Sequence, residues 1–181
     1  NGNTSIYTGT GYNSVAVTRA YNSKAGTCIF NSTGIFDGGN HTVSGVYVNT
    51  TNNNGGLFGT IQKATVSNLN VVNSYIEAQD YAAGLIGYAA DSNVKNCSFT
   101  GLVKTKDTNG WSRGAGLIAQ VTGAVNVEKC FTDCKIVSGS RSAGLVGVSE
   151  ASTTLVIKNS YSIVDIPVVA AQNTPAGLLS F

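Results

Sequence analysis

From Tyr81 the chain reads Tyr81-Ala82-Ala83-Gly84-Leu85-Ile86-Gly87-Tyr88-Ala89-Ala90-Asp91-Ser92-Asn93-Val94-Lys95-Asn96-Cys97, and two pieces of this stretch recur along the sequence. The first piece, Gly84-Leu85-Ile86-Gly87, returns as Gly56-Leu57-Phe58-Gly59, Gly116-Leu117-Ile118-Ala119, Gly144-Leu145-Val146-Gly147 and Gly177-Leu178-Leu179-Ser180. Its leucines stand at 57, 85, 117, 145 and 178, so the spacings are 28, 32, 28 and 33 residues. The second piece, Val94-Lys95-Asn96-Cys97, returns as Val66-Ser67-Asn68-Leu69, Val127-Glu128-Lys129-Cys130 and Ile157-Lys158-Asn159-Ser160. Two linked signatures in a constant order mark a repeat protein.

A unit of about 30 residues could be helical or stranded. Between the signatures lie short β-branched and aromatic runs, such as Thr42-Val43-Ser44-Gly45-Val46-Tyr47-Val48 and Val71-Val72-Asn73-Ser74-Tyr75-Ile76. Gly, Asn and Asp punctuate them every few residues, as tight turns between strands require. No 3.6-residue apolar period and no leucine ladder runs through the units. The pattern therefore predicts an all-β fold, a right-handed parallel β-helix (β-solenoid) of about five coils, with helix nearly absent. One coil cannot bury its own apolar face, so neighbours stacked about 4.8 Å away must do so. That registry predicts an interior stack of Leu57, Leu85, Leu117, Leu145 and Leu178, and a second of Val66, Val94, Val127 and Ile157. Asn68, Asn96 and Asn159 fall at a corner, where Asn tolerates left-handed backbone angles.

Composition narrows the function classes. Only 11% of the 181 residues are charged against 42% hydrophobic, and the formal net charge is +2. A balance so near neutral gives nucleic acid no electrostatic footprint. No apolar run reaches the ~18 residues of a membrane helix, so no membrane insertion is expected. The chain lacks Met and starts at Asn1 without a signal-peptide pattern, which reads as a piece of a longer chain.

The segment Gly34-Ile35-Phe36-Asp37-Gly38-Gly39-Asn40-His41-Thr42-Val43-Ser44-Gly45, with the Gly-Leu-x-Gly and Val-x-Asn-Cys signatures after it, resembles the GLUG-motif repeat family. The resemblance covers residues 29–181 as GLUG-type repeats. It leaves 1–28 as an N-terminal cap or first coil of a single domain spanning 1–181. It implies β-helical repeats of secreted or surface-attached bacterial proteins, adhesin-like proteins among them, and it carries no catalytic residues over. Ala119 and Ser180 depart from the closing Gly, Lys129 departs from the corner Asn, and the last repeat stops before its second half.

Catalytic candidates are few. His41 is the only histidine, which excludes a histidine cluster for a metal, and no Gly-x-Ser-x-Gly elbow, zincin motif or P-loop is present. The nine carboxylates are scattered and in repeat register form no same-face cluster for glycoside cleavage. Asp107-Thr108-Asn109-Gly110 reads as a turn rather than a calcium loop. Cys97 and Cys130 share a repeat position in consecutive coils. Stacked parallel Cβ vectors favour buried free thiols for them and for Cys134 over a disulfide, and Cys28 falls outside the repeats. No cofactor and no metal are expected.

One constellation points outward. Tyr81, Arg113 and Arg141 each stand three residues before a signature glycine, so registry places them in one column. The 32-residue spacing implies about four extra residues in one coil, in the loop from Lys104 to Ser112 that carries the lone Trp111. Tyr81, Trp111, Arg113 and Arg141 are thus the candidate glycan-binding residues, through ring stacking and guanidinium contacts. The expected function is a non-enzymatic extracellular or cell-surface module, a spacer or a display of binding loops, with a host glycan or surface protein as partner. The alternatives are a polysaccharide lyase or hydrolase fragment and a subunit that self-associates through its solenoid ends. Ice binding lacks the repeated Thr-x-Thr ladder it would need.

Overall fold

A computed structural model describes residues 34–107, 110–167 and 174–180, and the expected cap at 1–28 and Cys28 lie outside them. The described residues form strands and no helix, in three parallel sheets. Sheet I holds β1 (Ile35–Ser44), β2 (Tyr47–Asn49), β5 (Thr65–Ala78), β8 (Asn93–Thr105), β11 (Ala124–Glu128), β12 (Phe131–Val137), β15 (Thr154–Lys158) and β16 (Tyr161–Asp165). Sheet II is the row β3 (Asn54–Gly55), β6 (Tyr81–Ala83), β9 (Arg113–Ala115), β13 (Arg141–Ala143) and β17 (Thr174–Ala176). Sheet III is the row β4 (Phe58–Gln62), β7 (Ile86–Ala90), β10 (Ile118–Thr122) and β14 (Val146–Ser149). Each turn of the chain visits sheets II, III and I in that order, which is a β-solenoid. The described residues make about four turns against the five expected of the whole chain, and the coil begun by β17 contributes only one further bridge among them, Val146 to Leu179.

Registry follows the repeats. Phe36, Val66, Val94, Val127 and Ile157 are successive Cα partners across sheet I, and the first four-residue signature stacks likewise through Phe58, Ile86, Ile118 and Val146. The Leu85 amide donates to the Leu117 carbonyl and the Leu117 amide to that of Leu145, at 3.3 and 3.2 Å. Leu57, Leu85, Leu117 and Leu145 are buried as expected, but Leu178 is 42% exposed. Its backbone continues the column, yet no described coil lies beyond it to cover the side chain. In β12 alternation selects the face, with Thr132, Cys134 and Ile136 inward and Asp133 and Lys135 outward.

The signature glycines mark close approach. A Cβ on Gly84 would run into the Phe99 ring and the Gly116 carbonyl, and one on Gly116 would run into the Gly144 carbonyl. The corner behaves as the residue type foretells: Asn40, Asn68, Asn96 and Asn159 have φ of 60°, 55°, 49° and 50°. Asn96 Nδ2 donates to Asn68 Oδ1 at 2.8 Å and to Asn40 Oδ1 at 3.0 Å, so side chains continue the backbone ladder around the bend. Lys129 is held at φ 53° in the same place without an amide to join the ladder. A second device was not foreseen. The hydroxyls of Ser74, Ser92 and Ser160 each donate to the carbonyl two residues back and accept an amide of the preceding coil, from Val46, Ala64 and Cys130. They supply the inter-coil bond where the strand ladder is interrupted.

Candidate functional site

The connections between sheets are unequal. Every passage from sheet II to sheet III uses two residues, from Gly55 to Phe58, Ala83 to Ile86, Ala115 to Ile118 and Ala143 to Val146. The passage from sheet I to sheet II instead varies, with four residues after Asn49, two after Ala78, seven after Thr105, three after Val137 and eight after Asp165. Extra chain therefore gathers at the I–II corner, as the spacing arithmetic predicts for the segment around Trp111. Trp111 lies there with 68% of its surface exposed. Thr108 and Asn109 of the expected turn lie outside the described residues.

At the same corner the carboxyl groups of Asp80 and Asp107 are hydrogen-bonded across consecutive coils. Burial first, then the Asp107 charge and this bond, raise Asp80 above the ordinary carboxyl range, with Arg113 opposing them. The scattered carboxylates of the sequence thus yield one adjacent pair. The inserted residues carry Asp107 over Asp80, a juxtaposition that counting in repeat register does not reveal.

The column of Tyr81, Arg113 and Arg141 forms, as Cα partners along sheet II. The side chains of Tyr81 and Arg113 turn toward sheet III. Ala83 and Ala115 of sheet II and Ala119 of sheet III point outward, yet all three are fully buried against one another with Tyr81 packed on them. Outward side chains of adjacent strands can meet only if the corner is concave, since a convex corner splays them apart. The II–III edge is therefore a seam running along the solenoid, floored by small residues.

Arg113 fills part of this seam and is 6% exposed, which corrects the expectation of a solvent-facing guanidinium. Its guanidinium carbon lies 4.7 Å from the centre of the Tyr81 ring, Nη2 is 3.1 Å from Glu150 Oε1, and Nη1 donates to Gln120 Oε1 at 3.3 Å. Gln120 Nε2 in turn donates to Glu150 Oε1 at 2.8 Å. The planar fork is held by Tyr81 of sheet II, Gln120 of sheet III and Glu150 just past β14, which fixes its orientation. Arg141 and Tyr88 are half-buried beside it. The structure brings Tyr81, Arg113 and Arg141 together and leaves Trp111 at the neighbouring corner. Sequence reasoning missed Gln120 and Glu150, whose parts depend on how sheet II folds against sheet III.

The remaining candidates have structural surroundings. Cys97, Cys130 and Cys134 are buried free thiols. The Cys97 thiol is pushed well up by its hydrogen bond to Cys130 and by burial, and burial pushes Cys134 up to about 12. His41 is exposed on β1. On the outer face of sheet I, Tyr75 stacks on Tyr47 with ring centres 5.2 Å apart, and Lys104 Nζ lies 3.1 Å from Glu77 Oε1. No described helix is long and apolar enough to cross a membrane.

Residues 79–104, which run from the I–II corner through β8, match the family model of the GLUG motif. Their match agrees with the resemblance read from the repeats. No curated protein matches the chain. Among solved structures it is similar to the crystal structure of a putative immunoglobulin A1 protease from Bacteroides ovatus. The identity is 13%, the TM-score is 0.40, and the match covers 80% of this chain and 68% of that one. At that score the similarity assigns this chain neither a fold nor a role.

Proposed function

We propose that this chain is a non-enzymatic, extracellular or cell-surface repeat module of adhesin type, a stiff spacer that displays binding loops from one corner. The observation that carries this reading is the inequality of the connections. The II–III passage keeps two residues in every coil while the I–II passage ranges from two to eight. Repeat proteins collect insertions on the face they use, because a loop that leaves the stack costs the core nothing. The GLUG match supports a secreted or surface setting. A rigid rod with an exposed Trp111 on its variable corner suits a host glycan or a surface protein, since an indole offers a flat apolar face and a donor at little entropic cost.

The Asp80–Asp107 pair is what a hydrolase reading would rest on. Exposure of the whole chain to a glycan array and to host surface proteins tests the proposal. Binding to at least one, weakened by Trp111→Ala without loss of fold, is the expected result. Release of reducing ends from polysaccharides, or the absence of any binding, would overturn it.

A further inference from the structure

The loop that carries Trp111 stands on two feet, and both rest on one point of the preceding coil. At the first foot the Lys106 amide donates to the Ala78 carbonyl at 2.8 Å and the Asp107 amide to that of Gln79 at 3.0 Å. At the second the Arg113 amide donates to the Asp80 carbonyl at 2.7 Å. Gln79 and Asp80 are adjacent, whereas their partners Asp107 and Arg113 stand six positions apart, so the extra chain leaves and rejoins the stack beside Asp80. Asp80 therefore touches both feet, since its carboxyl is also hydrogen-bonded to that of Asp107. We infer that this carboxyl pair is a proton-operated clamp: a shared proton fixes the first foot of the Trp111 loop to the coil beneath, and its loss releases that foot. The clamp deepens, and rests on, the reading of the Trp111 loop as the displayed one, to which it adds control by pH.

Two carboxyl groups bond only while one of them keeps a proton, because an ionised carboxylate offers acceptors alone. Both members are half-buried, so the second charge that forms on deprotonation is weakly screened and the two groups repel. The surroundings leave that repulsion in place. Arg113 draws on Asp80, but its guanidinium is turned to Glu150 at 3.1 Å and to the Tyr81 ring at 4.7 Å. Lys106, beside Asp107 in the chain, acts on Glu77. Asn52 and Asn53 of the coil beneath meet the corner without charge. So do Ser138, Gly139 and Ser140 of the coil above, and Arg141 after them lies in the sheet II column. Burial, then the Asp107 charge and the bond between the two, raise Asp80 above the ordinary carboxyl range. The folded state thus holds the proton more tightly, so the clamp is closed below about pH 4 and opens as pH rises through the raised value. The second foot is indifferent to the proton: Ser112 is fully buried, and its hydroxyl accepts the Gly139 amide at 3.0 Å. Opening therefore turns the loop about Ser112 and Arg113 while the coils stay stacked.

Trp111 is the only tryptophan of the chain, so its fluorescence reports this loop alone. Acrylamide quenching of the whole chain, followed from about pH 3 to about pH 8 beside far-ultraviolet dichroism, tests the clamp. The quenching constant should rise by roughly half through one transition centred above the ordinary carboxyl value of about 4, with the dichroism unchanged. In Asp80→Asn the amide donates to the Asp107 carboxylate whatever the pH, so quenching should stay at its acid level throughout. Asp107→Ala removes the bond altogether and should hold quenching at its neutral level throughout. A flat profile in the unaltered chain, a transition that survives in Asp80→Asn, or one that coincides with loss of the strand signal would overturn the clamp. No ligand enters this measurement, so those results leave the display reading standing. A glycan array and host surface proteins without a binder would overturn that reading and leave the fluorescence transition in place.

Discussion

The third coil and the final one carry the same signature and differ in what surrounds them. Leu117 is sealed in the core, whereas Leu178 is 42% exposed. Gly116 has no room for a methyl group, and Gly177 has nothing within 4 Å of where one would stand. Residue identity is the same in each pair. In a solenoid, burial belongs to a residue's neighbours above and below, so equal letters in a repeat do not carry equal energies.

The sharpest way to break that contrast is to truncate the two leucines. Leu117→Ala should cost about 2–5 kcal/mol, as emptied core sites do. Leu178→Ala should cost less than about 1 kcal/mol, because half its surface already meets solvent. Urea unfolding of both variants measures the difference, and equal costs would mean that the final coil is as well covered as the centre.

The corner sharpens it at smaller scale. Asn96 sits at φ 49° and bonds along the stack, while Lys129 sits at φ 53° in the next coil. Asn96→Ala should destabilise by about 1–2 kcal/mol, through the left-handed angle and the lost bonds. Lys129→Asn should stabilise by roughly 0.5–1 kcal/mol, since Asn meets that angle at lower cost. Thermal melts of the two variants should shift in opposite directions.

The smallest effect is one of pH and is confined to the first coils. Burial, helped by the hydrogen bond and charge of Glu77, pushes the Tyr75 hydroxyl up to about 12 from the ordinary 10. A folded-state value above the unfolded one means that the folded state holds the proton more tightly. The resulting stability is complete below pH 10 and is lost as pH rises toward 12. Tyr75→Phe should flatten the stability profile across that window, read as melting temperature against pH.

Much of this was legible in the letters because the repeat is written in one dimension. Leu85 over Leu117, Val94 over Val127, and Tyr81 over Arg113 and Arg141 all follow from counting, since the coil converts sequence spacing into vertical contact. Even the place of the insertion follows from a 32-residue gap. The serine bridges were harder to see, because Ser74, Ser92 and Ser160 act through a carbonyl two residues back in chains rich in serine elsewhere.

What counting could not supply lies across the coil rather than along the stack. The direction in which sheet II folds against sheet III makes the seam concave, buries Arg113 and recruits Gln120 and Glu150. The inserted loop's path sets Asp107 against Asp80. The sequence by itself determined the stacking partners, because periodic hydrogen bonding forces like residues into register. Only the tertiary structure decided which outward side chains meet, because that depends on the angles between sheets, and nothing in the period of a repeat encodes an angle.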